Sequence, residues 1–320
     1  MKILITGVAG FIGSHLADKL IREGHSVYGL DNLSTGSINN IKHLFENLNF
    51  EFHKESILNK KIVDDLVSNA DLIFHLAAVV GVNLIMKNPL NTLKVNVRGT
   101  EILLEASNKY SKKIILTSSS EIYGRGVNKE FSENDDRLIG PINNIRWGYA
   151  SSKTIDEFLA FSYFIEHKLP ISIARLFNTV GTRQTGNYGM VLPRFISQAL
   201  RNEDITVFGD GNQTRCFCNV SDVIKALYML GTSSNANGEV FNIGSKDEIS
   251  MLNLAKTVIA QTKSKSQIKL IPYIDMFGNG FEDMMRRKPN INKMNEYFDW
   301  RPTVSLENSI NQIIKFFKTK

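Results

Sequence analysis

The sequence predicts an α/β protein built on a doubly wound, mostly parallel sheet, followed by a smaller and less regular C-terminal region. Three observations carry this. Short β-rich runs alternate with longer amphipathic ones through the first half of the chain. The first run, KILIT, is apolar enough to be buried on both faces. It leads through a glycine-spaced turn, GVAGFIG, directly into a helical pattern, as a strand–crossover–strand unit requires.

Taken in order, Lys2–Thr6 is the first strand, and Ile12–Glu23 is a helix with Ile12, Leu16, Leu20 and Ile21 at helical spacing. Gly24 ends it, as a glycine just past a helix does. Ser26–Leu30 is the second strand, Phe50–His53 the third and Asp71–Leu76 the fourth. A helix over Leu90–Tyr110 precedes a strand at Lys113–Thr117, and a helix over Tyr149–His167 precedes another at Ile171–Ala174. Beyond about residue 178 the pattern loosens. Short strands (ITVF, RCFCNV, EVFNI) and the turn cluster Gly209-Asp210-Gly211-Asn212 break up the helices.

Composition removes several function classes. The 320 residues are 42% hydrophobic and 22% charged, with no low-complexity tract, which excludes a disordered chain. The most apolar stretch, Leu72 to Val82, is about half the roughly 20 residues a spanning helix needs and contains His75, so no membrane span is expected. The start reads as a strand entering a turn rather than a signal peptide, and a cytoplasmic protein is expected. The net charge of +6 reads as a solvated, Lys-rich surface that tolerates an anionic small substrate. Without a dense basic run interleaved with aromatics, nucleic acid is not an expected partner. Cys216 and Cys218, two apart in an alternating segment, would share one face of a strand as buried structural thiols. The six histidines are scattered without metal-ligand spacing, so no metal is expected.

Gly7, Gly10 and Gly13 let the backbone turn tightly and approach a pyrophosphate seated at the positive N-terminus of the first helix. Asp31 follows 18 residues after Gly13, at the end of the second strand. A carboxylate there accepts hydrogen bonds from adenosine ribose hydroxyls and repels a 2′-phosphate, which favours NAD over NADP. Further along, Tyr149 and Lys153 lie four apart on one helix and share a face. An ammonium beside a phenol favours the phenolate, so the expected Tyr149 pKa falls from roughly 10 towards neutrality. Such a tyrosine can take a hydroxyl proton while the carbon gives up a hydride. The hydroxyl cluster Thr117–Ser120 ends the preceding strand, at the edge where open α/β sheets bind ligands.

Together, GVAGFIG, Asp31, HLAA (75–78), the serine cluster and Tyr149-x-x-x-Lys153 resemble the extended short-chain dehydrogenase/reductase family. RLFNTVG (175–181), FGDGNQTRCF (208–217) and FNIG (241–244) resemble its nucleotide-sugar-modifying branch. The resemblance implies a Rossmann-type NAD-binding domain over 1–177, including the catalytic helix. A mainly nucleotide-sugar-binding region would follow over 178–320, with some segments returning to the first domain. It implies a catalytic set of Tyr149, Lys153 and Ser119, and a cofactor site of Gly7, Gly10, Phe11, Ile12, Gly13, Asp31, Asn32, Leu76, Ala77, Ala78 and Lys153. Asn178, Arg183, Arg215 and Arg287 would hold the nucleotide sugar, most simply a UDP-linked one.

In this branch Tyr149 would take the sugar 4-hydroxyl proton and a 4-keto sugar would form. Epimerases, dehydratases and decarboxylases diverge after that step. Glu121, in TSSSEIYG, stands where sugar 4-epimerases usually have a small or β-branched residue, and Ser120 stands where 4,6-dehydratases have Asp. The Ser-Glu pair resembles UDP-glucuronate decarboxylases, as do Arg146-Trp147-x-Tyr149 and GNGFEDMMRRKP (278–289). In that picture Ser120 and Glu121 handle proton transfer near C5, and Arg287 holds substrate or protonates the enolate. The loop RQTGNYGMVLPRF (183–195) lacks the ND-G signature usual in UDP-xylose synthases, and Ser56 replaces an Asp common near the adenine. A UDP-sugar 4-epimerase, a 4,6-dehydratase and a non-catalytic NAD-binding sensor or scaffold remain open alternatives. Trp147 either lines the sugar pocket or fills a gap at the helix start. The helix carrying Ile155, Phe158, Leu159, Phe161, Tyr163, Phe164 and Ile165 is apolar nearly all round, and a homodimer through it and the Leu90–Tyr110 helix is expected.

Overall fold

The computed structural model describes residues 1–186, 189–277 and 283–319. Six strands of its central sheet follow in chain order: β1 (Lys2–Thr6), β2 (Ser26–Leu30), β3 (Phe50–His53), β4 (Leu72–His75), β5 (Lys113–Ser119) and β6 (Ile171–Leu176). A seventh, Glu239–Ile243, comes back late to lie beside β6. All neighbours are parallel, and the spatial order from that late strand is β6, β5, β4, β1, β2, β3. The order reverses between β1 and β4, which opens a crevice at their carboxyl ends.

Side-chain alternation along each strand builds the two faces. Ile3 and Ile5 of β1 join Leu72 and Phe74 of β4 in one core, under the helices Phe11–Arg22 and Val220–Thr232. Leu4, Ile73, Ile114 and Leu116 point the other way, into a core closed by the helices Lys60–Asn69 and Gly99–Lys109. Each such side chain is worth about 1.5–3 kcal/mol relative to exposure. Strands this apolar on both faces have no solvent side, which is why the sheet is parallel and doubly covered.

Two regions differ from the sequence expectation. The stretch read as one helix over Leu90–Tyr110 runs as an α-helix at Pro89–Leu93, a π-helical segment at Lys94–Arg98 and an α-helix at Gly99–Lys109. The widened turn buries Asn96, whose Oδ1 accepts from the Val79 N–H at 2.8 Å and whose Nδ2 donates to Ser152 Oγ at 3.2 Å. Such bulges concentrate at functional sites, and this one fastens the loop after β4 to the helix Trp147–His167.

The second half is also more regular than expected. Helices at Val191–Leu200, Met251–Thr262 and Leu306–Lys318 enclose a core of their own around Phe195, Leu254 and Ile313. The last two begin at caps: the hydroxyls of Ser250 and Ser305 accept from Asn253 N and Asn308 N, each at 3.2 Å. RCFCNV is split rather than one strand. Thr214–Cys216 pairs antiparallel with Glu248–Ser250, while Cys218–Asn219 pairs parallel with Thr179–Val180. Both thiols are free and buried, and burial pushes both up, Cys216 to about 12.

Candidate active site

The turn after β1 is built by close approach. Gly7 has φ +76°, and a Cβ there would sit 2.8 Å from Ala77 N. A Cβ on Gly13 would lie 2.2 Å from the Gly7 carbonyl oxygen, so helix and turn can touch only without side chains. Gly10 caps this helix with no side-chain bond, leaving its first N–H groups for an anion. Gly7, Gly10, Phe11, Ile12, Gly13, Asp31, Asn32, Leu76, Ala77 and Ala78 all line one cavity of about 1300 Å³. Asp31 is fixed at the end of β2: Oδ2 accepts from Ala9 N at 3.0 Å and Oδ1 from Leu33 N at 2.8 Å. Burial raises its pKa and these two bonds lower it, with burial the stronger. A carboxylate has about four lone-pair sites, so capacity for two ribose hydroxyls remains. The cradle fits a dinucleotide with an unphosphorylated ribose.

Tyr149 and Lys153 stand in the first turns of the helix Trp147–His167, both buried and both facing that cavity. The expected lowering of the tyrosine does not hold in the protein alone. Burial raises the phenol above its ordinary 10, Lys153 and the facing Ser119 hydroxyl pull it down, and the negative charges of Glu121 and Asp156 push it up. Burial wins because the ammonium is shared: Lys153 Nζ donates to Asp156 Oδ2 at 2.8 Å.

Beside Tyr149 lies an ionic cluster. Arg287 donates through Nη1 to Glu121 Oε1 and through Nη2 to Asn178 Oδ1 at 2.5 Å. Arg146 Nη1 lies 3.1 Å from Glu121 Oε2, while its Nη2 is 2.9 Å from Asp283 Oδ1. Arg215 Nη2 reaches the same Asp283 oxygen at 3.0 Å. Burial alone would raise Glu121, but the guanidiniums of Arg146, Arg287 and Arg215 outweigh it and hold the carboxyl at about 2. Asn178 is placed by an unusual backbone, φ +29°, and its Nδ2 donates to Cys216 O at 2.9 Å. Three guanidiniums face two carboxylates, so the cluster carries one positive charge in excess.

The structure brings together Ser119, Ser120, Glu121, Tyr149, Lys153, Asn178, Arg215 and Arg287 on the walls of one cavity. Arg183 also lines it, and pairs with Asp18 of the first helix at 2.8 Å. Trp147 settles as a gap filler. It is 2% exposed among Ile122, Tyr123, Phe131, Phe177 and Met284, with the Arg146 guanidinium over its ring at 5.0 Å. Sequence reasoning did not assign Arg146 or Asp283. Both sit in strings quoted above, Arg146 in Arg-Trp-x-Tyr and Asp283 in GNGFEDMMRRKP, which carried the resemblance without giving either residue a role. Residues 187–188 and 278–282, parts of two motifs quoted above, lie outside the described residues.

Cradle, phenol and ammonium together define an enzyme that oxidises a hydroxyl through a bound dinucleotide. Comparison with known proteins agrees: the family model described as GDP-mannose 4,6 dehydratase matches residues 4–313. The chain belongs to that family, in the nucleotide-sugar branch of the extended short-chain dehydrogenase/reductases, and is an NAD-dependent enzyme. It is 41% identical to the UDP-N-acetyl-alpha-D-glucosaminuronate decarboxylase of Bacillus cytotoxicus, covering 99% of this chain and 98% of that one. It is 36% identical to UDP-glucuronic acid decarboxylase 1 of Danio rerio, over 99% of this chain and 72% of the relative. Among solved structures, UDP-glucuronic acid 4-epimerase from Bacillus cereus, in complex with UDP-glucuronic acid and NAD, superposes with a TM-score of 0.90. Its sequence identity is 30%, with coverage of 100% and 99% of the two chains.

Proposed function

We propose that this chain is an NAD-dependent decarboxylase of a UDP-linked hexuronate. The observation that carries the reading is Glu121, an acid locked between Arg287 and Arg146 beside Tyr149, where oxidation at C4 alone needs no acid. Tyr149 takes the C4 hydroxyl proton, with Ser119 orienting that hydroxyl and Lys153 countering the phenolate. NAD held by the turn Gly7–Gly13, Asp31 and Lys153 would supply the acceptor for the C4 hydride. The resulting ketone stands β to the C6 carboxylate. The C5–C6 bond then breaks, CO2 leaves, and the electron pair enters the C4 carbonyl as an enolate that takes a proton at C5.

The guanidiniums of Arg146 and Arg287 hold Glu121 ionised, so in this scheme it orients the proton source at C5. Ser120, or a water held by Glu121, is better placed to deliver that proton, with Arg287 and Arg146 countering the anionic charge. We assign the substrate's UDP moiety to the region after residue 178 and the dinucleotide to the first 177 residues. Exposed Phe158 and Ile165 on the catalytic helix, with Leu90 on the preceding helical stretch, support a homodimer. Among the described residues no helix is long and apolar enough to cross a membrane, and we place the protein in the cytoplasm.

The test is an NMR time course with NAD and either UDP-glucuronate or UDP-N-acetylglucosaminuronate. Loss of the C6 carboxylate with a new UDP-pentose or 4-keto signal supports the proposal and fixes the C2 substituent. A C4 epimer with carbon count unchanged overturns it in favour of the 4-epimerase that the Bacillus cereus structure represents.

A further inference from the structure

Asp156 has no task in the scheme above, yet it is completely buried and bonded to the catalytic lysine. Its neighbour Glu157 shows how differently two adjacent acids are used. Glu157 is neutralised by Arg175, through Nε and Nη2 at 2.9 and 2.8 Å, and by Arg137 at 2.8 Å. Asp156, turned about 100° round the helix, faces only Lys153 among the described cations.

Behind Asp156 a file of buried polar groups runs back to the dinucleotide turn. Ala77 N donates to Thr6 Oγ1 at 3.2 Å, Thr6 Oγ1 meets His75 Nδ1 at 2.8 Å, and His75 Nε2 meets Thr100 Oγ1 at 3.1 Å. Thr100 faces the Asp156 carboxylate without closing a bond to Oδ1, which has no hydrogen-bond partner among the described residues. Burial holds the His75 imidazole neutral, at about 3, so it donates from one nitrogen and accepts at the other. We assign Nδ1 as the acceptor, since the Ala77 N–H already occupies Thr6 and leaves its hydroxyl to donate. Nε2–H then donates to Thr100, whose hydroxyl dipole points on to Asp156.

We propose that Asp156 is a positioning residue, holding the Lys153 ammonium in place and setting how strongly it acts on the Tyr149 phenol. This rests on the reading that Tyr149 is the base. The groups facing this pair are few. Tyr149 and Glu157 lie on the same helix, neutral His75 and Thr100 come from β4 and the helix Gly99–Lys109, and Glu121 comes from the turn after β5. A negative Asp156 cancels part of the ammonium's field at the phenol, so the phenol titrates higher than the lysine alone would place it.

Two measurements test this. In the first, phenol ionisation is followed by ultraviolet difference titration of the cofactor-free protein, wild type minus Tyr149→Phe. In the second, the acid limb of kcat against pH is followed in the holoenzyme with UDP-hexuronate. Asp156→Asn keeps a shape that still accepts from Lys153 but removes the charge. It is expected to lower both midpoints by on the order of one pH unit, with KM for the nucleotide sugar within about twofold. Thr100→Val removes a dipole whose positive end faces the carboxylate and is expected to move both midpoints slightly upward. It carries the test alone should Asp156→Asn not fold, while Asp156→Glu should stay near wild type. Midpoints unmoved in both Asp156→Asn and Thr100→Val overturn the proposal. Full turnover in Tyr149→Phe would instead overturn the assignment of the base, and the titration would still decide the role of Asp156.

Discussion

Arg287 and Glu121 are 166 residues apart in the chain and form an ion pair across the cavity, with Asn178 holding the other end of the same guanidinium. In the proposed decarboxylation neither partner is needed for hydride transfer at C4, and both are assigned to events at C5 and C6. Glu121→Gln is therefore expected to cut decarboxylation by about 100-fold or more while leaving C4 oxidation measurable. A single-turnover experiment reading NADH absorbance and CO2 release together checks this. Equal loss of both signals would place Glu121 in the oxidation step instead.

The same pairing gives stability a pH dependence. The folded pKa of Glu121, about 2, is below its unfolded value near 4.5. Its contribution is thus fully present above about pH 4.5 and is lost as pH falls towards about 2. Urea midpoints of wild type and Glu121→Gln should differ most above about pH 5 and converge at more acid pH. A constant difference would mean that the carboxyl titrates normally in the folded protein.

Arg146 bridges Glu121 and Asp283 and lies over the ring of Trp147. Arg146→Met removes a cation from a cluster with one to spare. UDP-glucuronate binding should weaken by about tenfold or more, a loss of about 1.4 kcal/mol, while UDP-glucose binding changes much less. Calorimetry with both ligands measures the contrast. An equal loss for both would assign Arg146 to the diphosphate rather than to the uronate carboxylate.

Gly13→Ala places a methyl 2.2 Å from the Gly7 carbonyl oxygen, a contact that backbone on both sides cannot relieve. Purified variant should retain little or no NAD, read by absorbance after acid release, with sugar-nucleotide binding lost to a smaller degree. Retention of a full complement of cofactor would show that the turn can open.

Phe158 is 62% exposed on the catalytic helix, with the Arg137 guanidinium 5.3 Å from its ring, and in the proposed dimer its outer face is covered by the partner. Phe158→Asp should halve the mass seen by light scattering while leaving the thermal midpoint of the separated subunits close to wild type. A monomeric wild type at micromolar concentration would remove the dimer from consideration.

What could be read in advance follows the range of the interactions concerned. GVAGFIG, Asp31 and the Tyr149–Lys153 pair act within a turn, a strand end and a helix face, so spacing along the chain already states their geometry. Asp283 meets Arg146, Arg215 and Tyr273, which are 137, 68 and 10 residues away, and no local spacing encodes such a meeting. The role of Asp156 could not be read in advance, because Asp156 and Glu157, three and four residues beyond Lys153, both stand at helical contact spacing. Only the packing of Arg175 and Arg137 against Glu157 decides between them. The helices of the second half were obscured by short strands and glycine turns, although Ser250 and Ser305 stood at their starts.

The late arrival of Arg287 and Asp283 has a consequence for biosynthesis. A ribosome making this chain releases the glycine turn, Asp31, Tyr149 and Lys153 long before the strand Glu239–Ile243 and the segment carrying both late residues have emerged. A nascent polypeptide can thus assemble most of its dinucleotide cradle while Glu121 still lacks its guanidinium from the far end. On the proposed reading, the competence to break a carbon–carbon bond is withheld until residues 283–287 have emerged.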